Sequence, residues 1–393
     1  MGISESKKVS IVSIIVFILV ILAELPRVYV FGNSEVFSSV INYIQIPTYL
    51  GLLFIIFRRK YPLKWLLGYG LLLLLLFIGY WQSGQAAYFR GAILILAVQG
   101  FPFKKILKTC RYAISSVFIL SVALWVMGIS DPVIAYSEGV TLGYEHPNIA
   151  SQVIMIIVFL WMIERGKSLK LRDYILFELI AVIVFFVTSS RSSVIIIAMA
   201  PFFLAITKKL TYQRKNKFVE FFLKISQLLF FAITYFSALL LPKSAIINLL
   251  DLLFTNRIYL NYYLFQKYSI TIFGQSVNFN ETGVYNSIRN IYGASITCDS
   301  SYTVSLILMG AIPTIIFCVG YILLMKKALE DNNYIVVAAS LLLVVYAFFE
   351  AQMVEIYNNF VYFYLLASYE SSSDKTIKID KRRDILQRSV ISH

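Results

Sequence analysis

Runs of about twenty apolar residues return along the whole chain, and no other feature restricts its fold as strongly. As a helix, such a run crosses the hydrocarbon of a bilayer, which is about 30 Å thick. Inside that layer every backbone N–H and C=O needs a partner within the protein, which leaves helices or a closed barrel. The runs are continuous and not alternating, so helices are expected. Twelve spans are predicted, at about 9–26, 36–57, 63–81, 87–101, 106–127, 147–164, 171–189, 191–207, 218–241, 301–325, 334–351 and 353–369. Composition agrees, with 59% hydrophobic and 14% charged residues and a mean hydropathy of +0.76. Soluble domains hold about 45–50% and about 25% of these classes. The expected fold is an all-α polytopic membrane protein, a single membrane domain over 1–393.

The net charge of +14 at first suggests nucleic acid, but in a membrane chain it reflects cations retained in cytoplasmic loops. With the N-terminus inside, 27 of the 35 cations fall in inner segments and 7 in outer ones; Lys224 sits inside a span. Both termini are therefore expected in the cytoplasm, with a basic tail over 370–393. The first span lacks a small-residue cleavage site and reads as a retained anchor. Cys110, Cys298 and Cys318 fit no metal spacing or disulfide framework, and with only His146 and His393 no histidine-rich metal centre is expected.

Most predicted connections are short, but 242–300 is long and lies outside on this orientation. It carries ten aromatic residues and the charges Lys243, Asp251, Arg257, Lys267, Glu281, Arg289 and Asp299. A long loop on an economical scaffold is where function is usually found. Its stretch 246–268 reads as an amphipathic interfacial helix with Arg257 and Asn261 on one side and Leu252, Leu253, Phe254 and Leu260 towards the membrane.

The outer cations mark the candidate site. Arg191 stands in Thr188-Ser189-Ser190-Arg191-Ser192-Ser193, at the tight turn where the eighth span begins. A helix N-terminus facing outward, with an arginine beside it, suits an anion; the alternative is an arginine reaching lipid headgroups. Arg257 follows Asn256 and is a second phosphate candidate, with Lys267 a weaker one. His146 precedes Pro147 and Asn148 at the entry to the sixth span and is the natural general base, with Glu145 beside it. Asp299, before Ser300, Ser301 and Tyr302, reads either as the cap of the tenth span or as a base or orienting group. Tyr144, Asn148, Ser190, Asn256, Arg289 and Tyr302 are expected to support these groups. Glu178, deep in the seventh span, is expected to be paired.

Several of these stretches together resemble a known family. Leu142-Gly143-Tyr144-Glu145-His146-Pro147-Asn148, Thr188-Ser189-Ser190-Arg191-Ser192, Asn256-Arg257 before Phe273-Gly274, and Asp299-Ser300-Ser301-Tyr302 before Gly310 look like the Wzy-type polysaccharide polymerases of Gram-positive bacteria, in the O-antigen polymerase and ligase superfamily. The resemblance implies a GT-C-like glycosyltransferase in the bacterial plasma membrane. Such an enzyme moves a growing glycan from undecaprenyl diphosphate onto another lipid-linked repeat, for capsule or exopolysaccharide, with no cofactor and no metal. Arg191 and Arg257 would then hold the diphosphate, and His146 or Asp299 would take the acceptor hydroxyl proton. Because a helix N-terminus lowers a carboxylate's pKa, His146 is the preferred base and Asp299 the orienting group or cap. Expected partners are the undecaprenyl-diphosphate-linked oligosaccharide, membrane lipids and other polysaccharide-assembly membrane proteins, and no nucleic acid. A ligase of the same superfamily and a lipid-linked oligosaccharide flippase are the alternatives. The second is disfavoured because the outlying charges gather at one face and not at the bilayer midplane.

Overall fold

The computed structural model describes residues 5–59, 61–130, 139–213, 216–277, 285–286, 291–292 and 298–368. Arg289 and the tail 370–393 lie outside the described residues, as does most of 278–297. The protein is a helical, multi-pass membrane bundle. Seven helices among the described residues are long and apolar enough to cross a bilayer: Glu35–Phe57, Leu63–Ser83, Phe103–Val126, Pro147–Ser168, Arg191–Thr211, Lys217–Lys243 and Ala311–Glu330. Helices Glu5–Glu24 and Leu171–Thr188 fall on two further predicted spans, and the shorter apolar helices Ala87–Ala97 and Tyr334–Tyr346 on two more.

The core sits around the helix that opens at Pro147, 67% of whose apolar stretch is buried, against 11% for the rim helix Leu63–Ser83. It packs between Phe103–Val126, Leu171–Thr188 and Arg191–Thr207, and Tyr334–Tyr346 closes the other side. The rim helices turn Phe54, Leu71, Leu74 and Trp81 outward, as lipid contact requires. Glu178 also faces outward and has no partner among the described residues, so the expected pair is not formed there. An apolar cavity of about 440 Å³ lies between Leu63–Ser83, Ala87–Ala97, Ala311–Glu330 and the chain after Val354, away from the charged groups described below.

Two predicted spans depart from a simple helix. The stretch 301–325 is broken at Gly310 (φ 88°), so that Ser301–Met309 forms a short buried turn-in and Ala311–Glu330 a separate helix. The break is made by the long loop. Thr271 O and Ile272 O accept the Ala311 and Ile312 amides, each at 2.9 Å, and Gln275 N donates to Leu308 O at 3.2 Å. The loop thus satisfies first-turn amides that a helix leaves free. The approach tolerates no side chain: a Cβ on Gly310 would stand 2.1 Å from Gly274 N.

The stretch 353–369 is not an α-helix. It contains 3-10 turns Ala351–Val354 and Phe360–Leu365, joined by irregular chain. Irregular backbone at membrane depth is tolerated where protein surrounds it, and here Phe360, Val361, Tyr362, Phe363 and Tyr364 are all buried. Side chains take its polar groups. Lys327 Nζ donates to Tyr364 O at 2.8 Å and Ala367 O at 2.8 Å, Asn358 Nδ2 to Gln352 O at 3.0 Å, and Asn359 Nδ2 to Met353 O at 3.1 Å. The amphipathic stretch 246–268 likewise divides, into Ala245–Leu253 and Arg257–Lys267, because Thr255 (φ 55°) and Asn256 (φ 68°) turn the chain between them.

Candidate functional site

The segment before Pro147 is sewn into the bundle by its backbone. Tyr29 N and Ser130 Oγ both donate to Gly143 O, at 3.0 and 2.7 Å, and Val140 N donates to Val187 O at 2.8 Å. Gly143 (φ 85°) is required there, since a Cβ would meet Ser121 O at 2.4 Å. Tyr144 is fully buried, bridges Val28 and has no partner for its hydroxyl among the described residues. A buried ion pair braces the same segment. Arg27 Nη1 holds Glu24 Oε2 at 2.9 Å, Arg27 Nη2 donates to Gln152 Oε1 at 2.5 Å, and the Arg27 carbonyl accepts from Glu145 N at 3.3 Å.

His146 emerges from this brace in extended backbone (φ −147°, ψ 145°) as the N-cap of Pro147–Arg165. Its Nδ1 accepts the Asn148 amide at 3.1 Å. That bond decides the tautomer: with the Nδ1 lone pair occupied, the neutral ring carries its proton on Nε2 and presents a donor. Partial burial pushes the His146 pKa down, Arg257 acts in the same direction, and Asp299 opposes both. The imidazole is therefore neutral near pH 7, but its basic nitrogen is already used. The role of general base expected for His146 is not what this geometry provides.

Arg191 opens the helix Arg191–Thr207, as expected from the serine-rich turn. Ser189 ends the preceding helix in the left-handed conformation (φ 53°), and Ser190 takes the N-cap position without a side-chain bond, its buried Oγ unpartnered. Arg191 is exposed and forms no ion pair among the described residues. The next two serines face inward. Ser192 Oγ donates to Glu350 Oε1 at 3.0 Å, and Ser193 Oγ lies 2.8 Å from the Tyr346 hydroxyl and 3.1 Å from Ser151 Oγ.

Arg257 is placed by a capping device. Asn256 has no capping bond, and buried Asp251 substitutes for it, accepting the Tyr259 amide through Oδ1 at 3.0 Å. A carboxylate at a helix N-terminus is favourable electrostatically. Arg257 becomes the first residue of its helix and reaches Glu350 Oε1 through Nη2 at 3.4 Å, with its guanidinium carbon 5.9 Å from the centre of the Phe349 ring. Its Nη1 is buried and has no partner among the described residues.

Glu350 is the residue at which these elements meet, and it was not among the expected site residues. It lies beyond the end of the helix Tyr334–Tyr346, near the outer end of the predicted span 334–351. The re-entering chain holds that turn: Ser301 N donates to Ala347 O at 2.9 Å, and Ser301 Oγ donates to Glu350 O at 2.5 Å and accepts Met353 N at 3.0 Å. Burial pushes the Glu350 pKa up; Arg257 and the Ser192 hydrogen bond oppose the rise and Asp299 adds to it. Asp299 is thus close enough to act on both Glu350 and His146. It is not a helix cap, because Ser300 occupies the N-cap position of Ser301–Thr303. Tyr302 is buried and donates to Val344 O at 2.6 Å, so it holds the re-entry in place. The structure therefore gathers His146, Asp299, Arg257 and Glu350 at one end of the bundle, with Arg191 one residue from Ser192. The signal that could have found Glu350 is the one that marked Arg191: a charge at the edge of an apolar span needs a partner or water.

Among the described residues no group of three or more His, Cys, Asp or Glu side chains could hold a metal ion, and Cys110, Cys298 and Cys318 are free thiols. No protein-family model, curated protein or solved structure matches the chain.

Proposed function

We propose that the protein is a membrane-embedded glycosyltransferase that polymerises undecaprenyl-diphosphate-linked repeat units at the outer face of a bacterial plasma membrane. The observation that carries this reading is Arg257, anchored to Glu350 by one amino group and left, among the described residues, with a buried and unpartnered Nη1 on the other. A buried guanidinium with a free donor calls for an anionic or strongly accepting ligand. Arg191, exposed at a helix N-terminus and next in sequence to the Ser192 that binds the same carboxylate, supplies a second cation for a diphosphate. In the reaction an acceptor hydroxyl oxygen attacks the anomeric carbon of the donor sugar. The bond from that carbon to the diphosphate oxygen breaks, and its electron pair leaves with the diphosphate. Fixed cations aimed at that developing charge are the electrostatic route to rate, and losing one such contact costs roughly 2.7–4 kcal/mol in comparable sites.

The charge distribution supports twelve crossings with both termini in the cytoplasm, the last crossing made by the irregular segment after Glu350. This orientation puts the His146–Arg257–Glu350 end outside. The experiment is the lipid-linked glycan that accumulates when the gene is deleted. A polymerase leaves single repeats on lipid at the outer face. Full-length polymer on lipid indicates a ligase, repeats confined to the inner leaflet indicate a flippase, and an unchanged glycan profile contradicts all three.

A further inference from the structure

Within that reading, the reaction needs a group to take the acceptor hydroxyl proton, and the two residues first suited to it are otherwise engaged or unanchored. His146 spends its lone pair on the Asn148 amide. No described hydrogen bond orients the Asp299 carboxylate. We infer that Glu350 is the general base, with Oε1 anchored by Ser192 and Arg257 and Oε2 receiving the acceptor proton.

Three features of the geometry converge on this assignment. The carboxylate is held through one oxygen only: both side-chain bonds end on Oε1, and Oε2 has no partner among the described residues. A base needs that asymmetry, a fixed position and one open lone pair. The backbone of Glu350 is locked from two sides, by Ser301 on its carbonyl and by Tyr346 O, which accepts the Glu350 amide at 3.1 Å. The Arg257 guanidinium that touches Oε1 also carries the free Nη1 assigned above to the donor diphosphate. One side chain thereby fixes the distance between proton acceptor and leaving group. The proton moves from the acceptor hydroxyl to Oε2 as the new carbon–oxygen bond forms, and the diphosphate departs with the electron pair of the broken bond. His146, with Nε2–H as donor, binds an oxygen of the donor or acceptor.

The charged and titratable groups facing Glu350 among the described residues are Arg257 from its helix, Asp299 from the re-entering chain and Tyr346 at the end of the preceding helix. Burial dominates, so Glu350 is protonated at a higher pH than an exposed glutamate. The ionised form is the active one. Polymerisation must therefore fall as pH drops through this raised value, which makes Glu350 a stronger base at neutral pH than an ordinary carboxylate.

The test is the rate of polymerisation against pH for the purified full-length protein reconstituted with lipid-linked repeats. Glu350→Gln keeps the volume and should lose about 10²-fold or more in rate while still binding donor lipid. Ser192→Ala removes a hydrogen bond to the ionised form, so the acid limb should move to higher pH, a shift that a purely structural serine would not produce. His146→Gln should keep the limb in place. An active wild type with a Glu350→Gln rate within a few-fold, or a Ser192→Ala profile unmoved, overturns the assignment alone. A well-folded wild type with no activity on these lipids overturns the functional reading and the assignment with it.

Discussion

A single carboxylate oxygen, Glu350 Oε1, is shared by Ser192 and Arg257, residues brought from two distant helices. Arg257 and Arg191 were legible in the sequence because they escape the inside bias of the other cations, and His146 because it is the one histidine away from the terminus. Glu350 was not legible, since it sits at the edge of an apolar run whose hydropathy hides one charge. Nor could residue type reveal which nitrogen of His146 is free; that depends on the Asn148 amide 3.1 Å away. The shared oxygen has a consequence for Arg257. Lysine keeps the charge but cannot hold Glu350 and a second acceptor through a planar fork. Arg257→Lys should therefore retain a minor fraction of the rate. Arg257→Ala should lose roughly 10²–10³-fold, following the loss of a preorganised donor. The alanine variant also removes the cation that opposes the rise in the Glu350 pKa, so its residual activity should fall off at higher pH than that of the wild type. Steady-state rates across pH check both; equal rates for the lysine variant and the wild type would count against a bidentate role.

At the level of elements, apolar period and length located nearly every helix, including the rim helices and the buried one at Pro147. They failed where two segments touch. The stretch 301–325 reads as one apolar run, yet the loop around Gly274 splits it at Gly310, a contact between residues far apart in sequence. The chain after Glu350 is apolar enough to read as a span, but side chains such as Lys327, Asn358 and Asn359 donate to its carbonyls, so no continuous helix is needed to satisfy them. Gly310 gives a direct check. Its backbone (φ 88°, ψ 172°) belongs to the region that only glycine occupies readily, and a Cβ would collide with Gly274 N. Gly310→Ala should destabilise the protein by at least about 1–3 kcal/mol, whereas Gly68→Ala, in a helix with open space around that position, should be neutral or slightly stabilising. Thermal unfolding in detergent measures both; a Gly310→Ala protein as stable as the wild type would contradict the observed break.

On the scale of the whole molecule, the polar devices divide between the ends of the bundle. One end carries structural locks: Arg59 donates to the carbonyls of Leu96 at 3.0 Å and Gln99 at 3.3 Å, and Lys327 donates to the Ala367 carbonyl at 2.8 Å. The other end carries Arg191, Arg257, Glu350, Asp299 and His146, including a buried donor and a carboxylate oxygen that have no partner among the described residues. The long loop proved central in a way its composition only partly announced, since its described portion both positions Arg257 and breaks the helix that brings Ser301 to Glu350. The central proposal is that this end performs glycosyl transfer on a lipid diphosphate. The most direct measurement is gel analysis of glycan after purified protein is reconstituted in liposomes with single lipid-linked repeats. The account predicts a ladder of lengthening polymer with the wild type and none with the Arg191→Ala, Arg257→Ala double variant at equal incorporation. No ladder from a folded, incorporated wild type, or an undiminished ladder from the double variant, would contradict it.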